Sequence, residues 1–122
     1  KIKEKLDGKI DTLHFDEAWL PHAAFHDFYK DMHAIGKDRP RAKESLIFST
    51  QSTHKMLAAL SQASLIHIKG SYDEDTFNEA FMMHTSTSPS YPIVASIETA
   101  AAMHRAAVDK STWARIVAPA GV

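Results

Sequence analysis

There is no cysteine in this sequence, which excludes a disulfide framework and any thiolate metal site. A reducing, cytoplasmic setting is the resulting expectation. Only four glycines occur among 122 residues, and none stands in the Gly-Lys-Ser/Thr context of a phosphate loop. No apolar run approaches membrane-spanning length, and the first residues carry no signal-peptide pattern, so no membrane segment is expected. An excess of one charge is lacking too. The net charge is -1 with His neutral, and the Lys and Arg are scattered. Nothing resembles the basic stripe of a nucleic-acid binder, so no nucleic-acid partner is expected. The chain opens on Lys1 rather than Met, which makes a piece of a longer protein the working expectation.

The residues that are present read as alternating α and β. Thr12-Leu13-His14-Phe15 is a short strand running into Asp16-Glu17, Leu46-Ile47-Phe48 a second, and Leu65-Ile66-His67-Ile68 a third, ended by Gly70. After Pro21, the apolar positions Phe25, Phe28, Tyr29, Met32 and Ile35 keep a spacing that predicts a helix up to Gly36. Met56 to Ala63 is apolar, and periodicity leaves helix and extended chain both open. Ser71 with Glu74 reads as a capping box for a helix carrying Phe77, Ala80, Phe81 and His84. Pro92 opens an Ala-rich helix through Ile93, Ile97, Ala100 and Met103. Three short strands and a few helices make a poor stand-alone core, so the chain is read as part of a larger α/β domain.

Four constellations could carry chemistry. Asp16-Glu17-Ala18 puts an acidic pair at a strand end, able to hold a metal, act as a base, or pair with a protonated ring nitrogen. The same tripeptide matches the Asp-Glu-Ala box of ATPases, a reading that needs a phosphate loop upstream of Lys1. Ser49 to Lys55 sets hydroxyls, an imidazole and a lysine directly after a buried strand. Such groups can hydrogen-bond a phosphate and condense with an aldehyde, although a plain polar loop is the commoner meaning. His22 and His26, with His33 beyond, could form a metal face if helical, but they lack the Glu-based signature of a zinc site, and no metal is expected. His14, His67 and His104 read as packing or surface residues. His84 to Pro89 is a hydroxyl-rich loop of the kind that caps helices and at times binds phosphate.

Taken in order, these segments resemble one family. Ser52-Thr53-His54-Lys55, continued by Leu57-Ala58-Ala59-Leu60-Ser61-Gln62-Ala63-Ser64, resembles the cofactor-lysine segment of bacterial ornithine/lysine/arginine decarboxylases. Phe77 to His84 with Thr87-Ser88-Pro89, and then Ile93 to Met103, resemble the segments downstream of that lysine in the family. Phe15-Asp16-Glu17-Ala18-Trp19 stands upstream, where the family carries its ring-nitrogen aspartate. Thr50-Gln51 and the Phe77 to His84 segment resemble the lysine branch; arginine and ornithine enzymes share most of the rest.

The resemblance implies fold type I of the pyridoxal-phosphate enzymes (aspartate aminotransferase-like), with a mostly parallel sheet flanked by helices. Residues 1–103 would be part of the large cofactor-binding domain, and 104–122 a segment without a match. It further implies that pyridoxal 5'-phosphate is the cofactor, that Lys55 holds it covalently, and that Asp16 pairs with its ring nitrogen. Ala18 would lie against the ring, Trp19 near its 3-hydroxyl, and Ser52 and His54 on its phosphate. Ser86 would reach the phosphate of a neighbouring subunit, in a homodimer with shared active sites or a higher homo-oligomer. The implied reaction is decarboxylation of a basic amino acid, lysine to cadaverine first, with arginine or ornithine as alternatives. The family's upstream phosphate loop and C-terminal domain are missing here, so this piece alone is expected to be inactive and to aggregate. A non-catalytic α/β binding or regulatory module is the rival of another class.

Overall fold

The computed structural model describes residues 2–29, 31–36 and 42–109. A short helix α1 (Ile2–Leu6) precedes β1 (Thr12–Asp16), two 3-10 turns (Pro21–Phe25 and Asp27–Tyr29) and β2 (Leu46–Gln51). Then come α2 (Thr53–Met56), β3 (Leu65–Lys69), α3 (Glu74–His84) and α4 (Tyr91–Asp109). Helix α4 thus runs on past the expected boundary at 103–104. Among the described residues no helix is long and apolar enough to cross a membrane.

The three expected strands form one sheet in the order β1-β2-β3. β1 runs parallel to β2 with Leu13 beside Ile47 and Asp16 beside Thr50, whereas β3 runs antiparallel with Ser49 beside His67. The expectation of a mostly parallel sheet is therefore corrected for this stretch. Residues 52–64 supply one turn of helix and a loop, enough for the chain to double back but too little for a crossover to a parallel neighbour. On central β2, Ile47, Ser49 and Gln51 are buried while Leu46, Phe48 and Thr50 are half-buried. Period-2 geometry puts Ser49 and Gln51 on the face shared with Phe15, Leu65 and His67. His14, Asp16, Phe48 and Thr50 share the opposite face, where His14 Nε2 lies 2.6 Å from Thr50 Oγ1.

The helix expected from Phe25 to Ile35 does not form. Pro21 opens a 3-10 turn, His26 is extended (φ −144°, ψ 130°), and His26 Nδ1 accepts the Phe28 N–H at 3.1 Å. Phe28 and Met32 are exposed, so the apolar spacing has no surface to pack on. The Ala-rich helix packs on the stretch that follows α2. Ala100 of α4 is buried with Leu57, Ala59 and Ala63, and Phe25, Ile93 and Ile97 close around them. Helix α3 starts two residues later than the expected box. Its cap is Asp73, whose Oδ1 accepts the Thr76 N–H at 2.7 Å and whose pKa is lowered by that bond. It meets the sheet through Phe77, stacked on Phe48 with ring centroids 6.1 Å apart.

The approach to β2 is held by one half-buried carboxylate. Asp7 accepts the backbone N–H groups of Lys43 (2.7 Å), Glu44 (3.1 Å) and Ser45 (3.1 Å). Gly8, at φ +72°, turns its own N–H onto Ser45 Oγ at 3.3 Å. The donors, Lys43 foremost, lower the Asp7 pKa to about 2 from the ordinary 3.8. A group depressed in the folded state stabilises above its unfolded pKa and loses that contribution as pH falls through the folded one. Asp7→Ala is therefore expected to lower the melting temperature near neutrality. Melting curves of both proteins should show the difference shrinking between about pH 4 and about pH 2. A difference that stays constant down to pH 2 would assign the loss to something other than this carboxylate.

Candidate active site

Parallel pairing of β1 and β2 brings the carboxyl ends of both strands to one edge, the usual ligand position in such sheets. Asp16 ends β1 and is exposed; its Oδ1 accepts the Ala18 N–H at 3.0 Å, which tightens the turn after the strand. Leu20 N–H closes the same turn on the Glu17 carbonyl at 2.9 Å. The turn presents Ala18 half-buried and the Trp19 indole 64% exposed, an open apolar face beside the carboxylate. From the end of β2 the chain enters α2, and Lys55 Nζ reaches 5.1 Å from the Trp19 ring centre. A cation over an indole face is an attractive contact of about 0.5–1 kcal/mol at an exposed site. Lys55 and the Asp16–Trp19 turn, distant in sequence, are thus neighbours.

The rest of the Ser52–Lys55 segment is held from behind. Ser52 is the N-cap residue of α2, but its hydroxyl does not cap the helix. His54 Nδ1 lies 2.8 Å from the Ala63 carbonyl. A carbonyl only accepts, so Nδ1 carries the hydrogen and Nε2 is the nitrogen left for a ligand. The stretch after Met56, open between helix and extended chain in the sequence, is a loop that takes two non-glycine residues into the left-handed region, Ala58 (φ 56°) and Gln62 (φ 74°). This strain delivers the Ala63 carbonyl to His54 and buries Leu57 and Ala63 against α4.

Ser86 stands apart from this group. Its hydroxyl accepts the Ser88 N–H at 3.1 Å and donates to the Ser88 carbonyl at 3.3 Å, within an exposed turn. The His22/His26 face does not form either, because the segment is 3-10 and His26 is extended. His22 packs edge-on to Tyr29, with Nδ1 buried and without a hydrogen-bond partner among the described residues. Burial, then nearby His33 and His104, push its pKa down. Among the described residues no three His, Asp or Glu side chains converge as a metal site.

Sequence reasoning treated Asp16 and Glu17 as a pair; the structure separates them. Glu17 is 4% exposed and accepts from Ser49 Oγ (2.7 Å), Gln51 Nε2 (3.0 Å) and the Ala34 N–H (2.6 Å). His67 Nε2 lies 3.3 Å from Gln51 Oε1, and Lys3 Nζ bonds the Ala34 carbonyl at 3.0 Å. The signal was legible: polar Ser49 and Gln51 alternate on the inner face of a strand, and buried polar groups need a partner. A cleft of about 670 Å³ opens beside this knot, with Lys3, Phe15, Asp16, Glu17 and His33 in its walls; Lys55 and Trp19 are not among them.

The residue types fit pyridoxal phosphate. A primary amine, an exposed carboxylate, an apolar platform and a hydroxyl–imidazole pair occupy one strand-end edge. The buried Thr53 Oγ1 beside them has no protein partner among the described residues.

Comparison with known proteins gives the family. A family model described as "Orn/Lys/Arg decarboxylase, major domain" matches residues 1–121. The constitutive lysine decarboxylase of Escherichia coli K12 is 64% identical over 104 residues, covering 85% of this chain and 14% of that protein. The lysine decarboxylase of Hafnia alvei is 55% identical over 109 residues, 89% of this chain and 14% of its own length. Identity is 43% to the biodegradative arginine decarboxylase and 33% to the inducible ornithine decarboxylase of Escherichia coli. The solved structure of the constitutive Escherichia coli enzyme superposes with a TM-score of 0.72 over 84% of this chain and 14% of that one. The chain therefore spans about a seventh of the relatives it matches.

The strained loop behind Lys55 yields a stability test. A β-branched side chain at φ 56° is more strained than alanine. Ala58→Val is expected to destabilise by about 1–2 kcal/mol, and Ala58→Gly to be neutral or slightly stabilising. Melting temperatures of the two variants check this; equal losses would argue against a left-handed residue 58.

Proposed function

Because the chain belongs to the ornithine/lysine/arginine decarboxylase family, we propose that it is part of the pyridoxal-phosphate-binding domain of a decarboxylase that converts lysine to cadaverine and carbon dioxide. That domain is of fold type I in this reading. The observation that carries the proposal is the meeting of Lys55 with the Asp16–Trp19 turn at one strand-end edge, 5.1 Å from ammonium to indole. When bound, pyridoxal phosphate supplies the electron sink that lets the carboxylate leave an amino acid as carbon dioxide.

The chain's own residues have distinct tasks. Lys55 would hold the cofactor through its ε-amine. Asp16 holds a proton on the ring nitrogen, because an adjacent carboxylate favours the charged form of a base. Ala18 and Trp19 provide an apolar platform that excludes water from one side. Ser52 donates its hydroxyl to the phosphate, and His54, with Nδ1 tied to Ala63, offers Nε2. Lysine is favoured over arginine and ornithine because the identities fall in that order.

The test uses the full-length protein. Lys55→Ala should abolish the visible band of bound cofactor and essentially all turnover. Asp16→Asn should keep the cofactor and slow turnover by orders of magnitude, since a neutral amide no longer favours the protonated ring. An intact band in Lys55→Ala would move the attachment point to another lysine. Near-normal turnover in Asp16→Asn would make that residue structural.

The shared site belongs to the same proposal, with Ser86 serving the phosphate of a second subunit. Ser86→Glu should weaken cofactor binding by placing a negative charge there. Co-refolding equal amounts of Ser86→Glu and Lys55→Ala should give about half mixed dimers, each with one sound site, and restore about a quarter of wild-type activity. No recovery despite confirmed mixed dimers would place Ser86 in its own subunit's site.

A further inference from the structure

Among the described residues, Glu17 is the one buried acid beside the proposed cofactor residues, and the proposed chemistry leaves it unused. It directly succeeds Asp16, and successive residues of an extended chain point to opposite faces. Glu17 N–H continues the strand pairing by donating to the Thr50 carbonyl at 2.9 Å. Its carboxylate is then fixed on the inner face by Ser49, Gln51 and the Ala34 N–H. Gln51 cannot rotate its amide freely, because its Oε1 faces His67 Nε2 across the β2–β3 pairing. With the peptide on one side and the carboxylate on the other both held, the direction in which Asp16 leaves the strand has little freedom.

We propose that Glu17 is a positioning residue: its buried hydrogen bonds to Ser49, Gln51 and Ala34 set the aim of Asp16 at the cofactor's ring nitrogen. The inference rests on the decarboxylase reading of Lys55 and Asp16. It adds that the aim is set by matched donors and acceptors, not by a negative charge at residue 17 as such. Glu17→Gln keeps the size of the side chain, but an amide NH₂ replaces one oxygen and must face a donor. Exchanging the partners, in Glu17→Gln with Gln51→Glu, lets residue 17 donate to residue 51 and still accept from Ala34 N–H. The acid moves one strand over, and Ser49 Oγ turns from donating to residue 17 to accepting from its amide.

The experiment uses the full-length protein and reads three quantities for each variant. In the cofactor-free protein, hydrogen exchange of the segments 15–20 and 31–36 should be on the order of tenfold faster in Glu17→Gln than in wild type. With cofactor bound, the pH dependence of its absorption band should shift in the same direction as in Asp16→Asn. The turnover number should fall by between about tenfold and about a hundredfold, with KM changed less than about twofold. The double exchange should recover most of all three. Asp7→Asn, which loosens the sheet far from this edge, should lower the melting temperature and leave the band unmoved.

A wild-type band and turnover number in Glu17→Gln would overturn the inference. So would a melting loss that matches Asp7→Asn with no spectral change, or a double exchange no better than Glu17→Gln. Should Glu17→Gln give no folded protein, Ser49→Ala removes a single bond. A smaller shift of the band in the same direction would support the inference, and a wild-type band would sink it. Wild-type protein without a cofactor band, or a Lys55→Ala variant that keeps one, would fail the decarboxylase reading first and this inference with it.

Discussion

Parallel alignment of β1 with β2 is the constraint on which the rest of this structure depends. Two strands that run the same way release their carboxyl ends at the same edge, so the residues after each strand are delivered to one place. After β1 comes a turn tightened by Asp16 on Ala18 N–H; after β2 comes a helical turn bearing Lys55. Had β2 run the other way, Ser52–Lys55 would leave from the far end of the sheet. The antiparallel β3 then costs the site nothing, because its task is to flank β2 and shield Ser49 and Gln51.

That edge is stiff for reasons that lie beneath it. A carboxylate 4% exposed accepts three hydrogen bonds, and any donor left unmet there would cost about 1–3 kcal/mol. Through Ala34 the same carboxylate fastens residues 31–36 to the sheet, with the buried Lys3 holding the Ala34 carbonyl. Behind Lys55 the stiffness has another origin. Ala58 and Gln62 accept left-handed backbone, and packing of Leu57 and Ala63 on α4 offsets the strain. On this edge Asp16, Trp19 and Lys55 are exposed, while Glu17, Leu57 and Ala63 beneath them are buried.

The other half of the chain is held more lightly. Helix α3 has no buried residue and touches the sheet through Phe77, leaving Phe81, Met82 and Met83 exposed.

Some of this was legible in the residues themselves. Alternating and continuous apolar runs marked all three strands, and the order Asp16 to Trp19, Ser52 to Lys55, Phe77 to Met103 carried the family. Local rules sufficed there, because strand formation and a motif are properties of short segments. The sense of β3, the failure of the helix after Pro21 and the shift of the α3 cap from Ser71 to Asp73 were decided by tertiary structure. Each depends on the surface available: a short return connection, no apolar face for Phe28 and Met32, and an Asp carboxylate within reach of Thr76 N–H. The division of labour in Asp16-Glu17 was settled the same way. Two like residues side by side differ only in which face of a sheet they meet, and a sheet exists only once distant strands have paired.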